Sequence, residues 1–316
     1  MWVPPGPGLG ELLGSSAIGV GAAIGRPLLV ALTRAATRRS RPGPRPATPV
    51  AGPAPGAAPG DPGWFGPASV AWKVQADTSM FVAGIAAFAL QLLHPLALAG
   101  VVDHSSFADD FLGRVQRTGE FVQGIVFGDS TEAERRAAGV RRIHRKVAGT
   151  APDGRPYAAG DPDLLEWVHL GEYLAIAAAY RRFGAAPLSD AELDAYVDEV
   201  AVAGTAVGVE APPRRWANLD AALQRHRPSL AVGEQTLAAL EFLAAPPGLP
   251  AAARPAWRVA YAGAAVCMPP WARRLLRLAD PPPAALVACR GLVRALGAVA
   301  GPPPPLVAAR ARLGLA

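Results

Sequence analysis

Apolar positions recur along most of this chain at helical rather than strand spacing. Between Phe111 and Phe127, the residues Phe111, Val115, Phe121, Val122, Ile125 and Val126 supply the faces of an amphipathic α-helix. The same period predicts a short helix over Ala68–Asp77 and a buried one over Ser79–Leu93. Met80–Val102 is long enough for a membrane span, but Gln91 and His94 interrupt it. Proline lacks an N–H and clashes with the preceding turn, so a core helix that breaks at Pro95 is the better reading.

Boundary residues place the remaining elements. Asp129-Ser130-Thr131 offers an N-cap for a polar, arginine-rich helix over Glu132–Val147. Pro152, Asp153-Gly154 and Pro156 make Gly149–Gly160 a loop. Asp161-Pro162-Asp163 opens a helix over Leu164–Phe183, which Gly184 stops. Leu188-Ser189-Asp190-Ala191-Glu192 reads as a cap with acidic residues in the first turn of a helix running to about Val202. Further helices follow, divided by proline pairs or runs at Pro212, Pro246, Pro269, Pro281 and Pro302. The expected fold class is all-α, a multi-helix domain.

Three segments follow from this pattern. Residues 1–41 are an apolar stretch rich in Ala, Gly and Leu, with a basic end at Arg38, Arg39 and Arg41. Residues 42–62 hold Pro, Ala and Gly with almost no bulky apolar side chain, the composition of a flexible linker. Residues 63–316 form the helical domain.

Composition then narrows the functional classes. A net charge of +6 and a pI near 9.9 invite a nucleic-acid reading, yet the arginines are scattered and lysine occurs only at Lys73 and Lys146. No nucleic-acid partner is expected. Arginine over lysine, with abundant Ala, Gly and Pro, fits a high-GC bacterial genome. Cys267 and Cys289 are far apart and lack a CxxC spacing, so neither a disulfide framework nor a zinc cluster is suggested. The start of the chain lacks the pattern of a secretory signal, and the expected location is cytoplasmic, with peripheral membrane contact left open.

Candidate chemistry is sparse. No HExxH, GxSxG elbow, Walker loop or strand-flanked GxGxxG is present. Of five histidines, His144 borders an apolar face made by Val140, Ile143 and Val147, where a neutral imidazole can serve as a metal or haem ligand or as a hydrogen-bonded packing residue. Arg114, Arg117 and Thr118 stand at i, i+3 and i+4, so they project from one side of a helix, as a binding face or a solvated one. Leu165, Val168, His169 and Glu172 share another helical face, where a buried His and Glu pair is either a functional site or a structural hydrogen bond. Asp103 or Ser105 is placed to cap the segment after the His94-Pro95 turn, with His104 a polar loop residue.

Taken in order, Trp64-Phe65-Gly66-Pro67, Leu92-Leu93-His94-Pro95, His104-Ser105, Gly113-Arg114-Val115-Gln116-Arg117-Thr118, Arg141-Arg142-Ile143-His144, Tyr157-Ala158 and Leu164-Leu165-Glu166-Trp167-Val168-His169 resemble the mpaB/rubber oxygenase catalytic domain. The resemblance spans roughly Trp64 to Trp271 and is carried by the order and spacing of the motifs together. It implies a globin-like helical core holding haem b and an oxygenase acting on an apolar unsaturated or aromatic small molecule with O2. Arg114, Arg117 and Thr118 fall on the RxxKT motif of the latex-clearing branch; Arg141 and His144 fall on its RxxH motif, whose histidine holds the iron. Arg117 stands where that branch has lysine. An arginine stays protonated and is a poor ligand, which leaves the distal side open or to water and argues against rubber cleavage itself. A non-catalytic haem-binding or sensor protein, and a cofactor-free membrane-associated helical protein, are the competing classes.

Overall fold

The computed structural model describes residues 60–104 and 111–315, with the backbone alone over 111–116. The N-terminal segment over 1–41 and the linker as far as residue 59 lie outside the described residues. The described chain is all-α apart from one small hairpin: α1 (Val70–Gln75), α2 (Met80–Gln91), α3 (Pro95–His104), α4 (Phe111–Phe127), α5 (Ser130–His144), β1 (Ala148–Thr150), β2 (Pro156–Ala158), α6 (Pro162–Phe183), α7 (Asp190–Val207), α8 (Trp216–His226), α9 (Glu234–Ala244), α10 (Arg254–Ala265), α11 (Pro270–Leu275), α12 (Pro283–Ala300) and α13 (Pro304–Arg312).

The axis of the domain is α6. Its first turn is set by Asp161, which accepts from Asp163 N at 2.9 Å, and by Pro162; Gly184 caps its end. Most of its length is buried, with Trp167 and Leu170 at 0% exposure. Its main partner is α2, which is apolar nearly all round and buries Val82, Ala83, Ile85, Ala86 and Leu90. Gly171 lets the two helices close up: a Cβ there would touch Leu90 Cβ at 3.6 Å. Side chains such as Trp167, Trp257, Tyr196 and Leu90, each fully buried, contribute about 1.5–3 kcal/mol apiece by leaving water.

Around this pair, α10 packs on α2 and α12, while α4 and α5 form an antiparallel pair whose second member lies on α7. Glu199 of α7 accepts from the N–H groups of Val70 (3.1 Å) and Ala71 (2.7 Å), satisfying two donors at the start of α1. Trp72 of α1 donates from Nε1 to Val126 O at 3.0 Å and meets Phe127 edge-on at 5.4 Å. At the far end, Arg312 donates to Asp61 O (2.8 Å) and Phe127 O (2.9 Å), so the first and last described segments are joined.

Several expectations need correction. Gly149–Gly160 is a β-hairpin with Ala148 opposite Ala158, Gly149 opposite Tyr157 and Thr150 opposite Pro156, turning through Gly154 at φ 86°. Tyr157 holds it: its ring covers Gly149 and its hydroxyl donates to Asp103 Oδ2 at 2.6 Å. Asp103 therefore ties α3 to the hairpin. The expected helix to Val147 ends at His144, because Val147 accepts from Ala159 N at 2.8 Å beside the hairpin. Helix α7 continues past Val202 to Val207 and closes on Gly208 at φ 110°. The break before Pro95 is present, and α2 and α3 meet at 109°.

Candidate functional site

His144 is the last residue of α5, a helix capped by Asp129, whose carboxylate accepts from Glu132 N at 2.8 Å. The inward stripe of α5 is Ala133, Ala137, Val140 and His144, at helical spacing. Ile143, expected on the apolar face, points outward at 59% exposure, so His144 occupies the stripe instead of bordering it. Its Nδ1 is buried without a hydrogen-bond partner, and burial pushes the imidazole pKa below its ordinary value. Arg141, one turn earlier, donates from Nη1 to Ala206 O at the end of α7.

The same end of α7 touches the second candidate group. A Cβ on Gly204 would fall 2.5 Å from His169 Cε1, so the imidazole of α6 fills the space a side chain would need. His169 is 5% exposed, meets the ring of Tyr173 edge-on at 4.8 Å, and has its pKa pushed down to about 4 by burial. Tyr173 in turn meets Tyr196 of α7 at 6.3 Å. Glu172 shares the face of His169 as expected, but no hydrogen bond joins them. Glu172 is half-buried as a residue, and burial pushes its carboxyl pKa up to about 7. Thus α7 brings the end of α5 and the His169 face of α6 to opposite sides of one helical turn, Gly204 to Ala206.

The arginine motif lies on α4. The side chain of Arg114 is outside the described residues. Arg117 and Thr118 are exposed. Arg136 of α5 donates to Glu120 O at 3.1 Å and lies across Gly124, so α4 and α5 run antiparallel with Glu120 facing Arg136. Continued backward along α4, this register carries the backbone of the Gly113–Thr118 segment level with the last turns of α5, where Arg141 and His144 stand.

A second polar group was not legible in the sequence. His226 at the end of α8 bonds through Nε2 to Glu166 Oε2 at 2.8 Å, and Arg225 donates to the other carboxylate oxygen at 3.1 Å. Trp167 lies between His226 (5.7 Å) and His94 (6.3 Å), and burial pushes His94 down to about 4. Sixty positions separate Glu166 and His226, and no spacing rule links them. His104, expected in a loop, is the last residue of α3 and bonds across to Ala148 O of β1 at 3.1 Å.

Among the described residues no three His, Cys, Asp or Glu side chains converge to hold a metal ion. His144 has the features an imidazole ligand needs: it faces inward, burial lowers its pKa and so favours the neutral ring, and its Nδ1 has no protein partner.

Comparison with known proteins gives one match. The family described as "ER-bound oxygenase mpaB/B'/Rubber oxygenase, catalytic domain" matches residues 72–298, from within α1 to near the end of α12. No curated protein and no solved structure matches the chain.

Proposed function

Because the chain belongs to the mpaB/rubber oxygenase catalytic-domain family and thus carries an oxygenase-type domain, we propose that it is a haem b-dependent oxygenase with His144 as the iron ligand. The observation that carries the assignment is the inward, half-buried imidazole of His144 with a ring nitrogen that no protein group satisfies. A neutral imidazole is the form that binds iron, and burial favours it. The helical fold is compatible with a globin-like core around the cofactor.

When bound, haem b supplies the iron redox chemistry that activates dioxygen. The protein's own groups would do the rest. Arg141, fixed to Ala206 O, holds the last turn of α5 against α7 and so orients His144. Arg114 and Thr118, on the helix level with that turn, steady the cofactor's surroundings and offer donors to developing negative charge. Arg117 stays protonated and does not ligate iron. Glu172, part protonated near neutral pH, can give up a proton at its carboxyl, and His169, neutral there, can accept one at its ring. The family resemblance points to a small, apolar, unsaturated or aromatic substrate used with O2.

The test is the ultraviolet and visible spectrum of protein produced with ample haem, read as purified, reduced, and then exposed to carbon monoxide. The expected result is a Soret band that shifts at both steps, and its loss or displacement in His144→Ala. Full haem and an unchanged Soret band in His144→Ala would remove the ligand assignment.

A further inference from the structure

We propose that a recess between the 3-10 turn Arg227–Ser229 and α11 binds an amphiphilic anion, its phosphate or carboxylate held by Arg227 and Arg274 and its hydrocarbon laid over Leu230, Trp271 and Leu275. These five residues line a cavity of about 400 Å³ on the surface of the domain. That is room for a short-chain amphiphile.

The lining is built for charge without supplying its own counter-charge. Arg227 stacks over the Trp271 ring at 5.3 Å and donates to the neutral Gln224 Oε1 at 3.2 Å. Neither Arg227 nor Arg274 pairs with a carboxylate among the described residues. Helix α11 also carries Arg273, and Arg277 follows it. The one acid in an ion pair there is Asp280, 3.2 Å from Arg273 Nη2. Two guanidiniums on one recess repel each other unless an anion sits between them, and an anion accepts from both at once.

Trp271, in the lining, and Arg273, outside it, each carry a buried donor. Trp271 Nε1 and Arg273 Nε have no hydrogen-bond partner. Both donors lie beneath the surface, so the recess offers a ligand the Trp271 ring rather than its N–H. Leu275 is 37% exposed beside it, an apolar surface a hydrocarbon chain would cover. The segment is also rigid. Ala231 N donates to Leu93 O at 3.0 Å and Thr236 Oγ1 to Leu92 O at 3.4 Å, which fastens the turn carrying Arg227 and Leu230 to the end of α2. The recess is therefore formed before any ligand arrives.

A phosphate of this kind comes either from a free small molecule or from a phospholipid headgroup. Titration calorimetry of the full chain would use hexyl phosphate, inorganic phosphate and hexanol as probes, followed by co-sedimentation with phosphatidylcholine vesicles with and without phosphatidylglycerol. Hexyl phosphate is expected to bind more tightly than either inorganic phosphate or hexanol. Arg274→Gln should weaken it about tenfold and Trp271→Ala, which removes the apolar ring from the lining, about fivefold. Arg227 and Arg274 are exposed, so their glutamine variants keep the fold, and a thermal melt verifies it. Retention on the anionic vesicles alone, lost in Arg227→Gln/Arg274→Gln, supports a lipid source; hexyl phosphate binding without vesicle retention supports a free ligand. The proposal is overturned if hexyl phosphate does not bind, if hexanol binds equally well, or if the double variant binds like the parent.

Discussion

The imidazole of His169 occupies the space that a side chain at position 204 would fill, with only 2.5 Å between its Cε1 and the Cβ that Gly204 lacks. The ring also meets Tyr173 edge-on at 4.8 Å and is 5% exposed, so its surroundings are packed. Gly204→Ala is expected to destabilise the domain by about 1–3 kcal/mol, as overpacking does, and to shift the His169 ring resonances. Chemical denaturation with NMR of the histidine ring protons checks both. An alanine variant as stable as the parent, with unmoved His169 signals, would show that the contact is slack.

Glu172 and His169 make opposing contributions to stability against pH. Glu172 has its folded pKa raised from 4.5 to about 7, so the stability tied to its neutral form is complete below 4.5 and lost as pH rises through 7. His169 has its folded pKa lowered from 6.5 to about 4, so its contribution is complete above 6.5 and lost as pH falls through 4. Between about pH 4.5 and 6.5 the two slopes oppose each other. Glu172→Gln should remove the falling limb, on the order of 3 kcal/mol by pH 7, leaving a protein whose stability rises with pH across that interval. Urea midpoints collected across the interval for parent and variant decide it: parallel curves would contradict the raised pKa.

Both thiols should be silent in the folded protein. Cys289 packs against Gly263 and burial pushes its pKa up to about 12; Cys267 is 2% exposed, is pushed up further by burial, and donates to Gly263 O at 3.4 Å. Thiolate is the reactive form, so a disulfide-exchange reagent is expected to label neither at neutral pH and both after unfolding in guanidinium. Rapid labelling of the native protein would place the α10–α12 contact in error.

Asp61 is a small residue with a wide reach. Its carboxylate accepts from Gly63 N at 2.8 Å, Ser130 N at 2.9 Å and Ser130 Oγ at 3.0 Å, and those backbone bonds hold its pKa below the ordinary carboxylate value. Asp61→Ala should cost about 1–2 kcal/mol by stripping the start of α5, and Asp61→Asn less, since it keeps one acceptor. A lowered folded pKa gives stability that is present above pH 3.8 and lost as pH falls through the folded value, so the gap between the parent and the Asp61→Asn variant should shrink in acid. Thermal melts at neutral and acid pH are the measurement.

Much of the scaffold was readable because its signals are local. Asp161 with Pro162, and Ser189 with Glu192, announce helix starts through bonds that span three residues or fewer, and the structure makes those bonds. The apolar period over Phe111–Phe127 returned that helix at the same bounds. The hairpin was missed because three-residue strands carry no period, and its stability comes from Tyr157 reaching Asp103, 54 positions away. Helix α7 outran its expected end because Gly204 and Ala206 are held by His169 and Arg141, contacts no local rule contains. His144 was legible as a candidate from its motif, but spacing put it at the edge of an apolar face with Ile143, whereas Ile143 is 59% exposed. The Glu166–His226 pair, assembled from two helices, left no trace in spacing.

The fastening of Arg312 to Asp61 and Phe127, with Gly60 N on Arg312 O at 3.1 Å, bears on how the domain would take a load. Tension applied to the two ends of the described chain would fall first on that handful of hydrogen bonds, in the manner of a zip, and on the buried Leu306 and Ala309 beside them. Once residues 60 and 312 had separated, force would reach the buried helices.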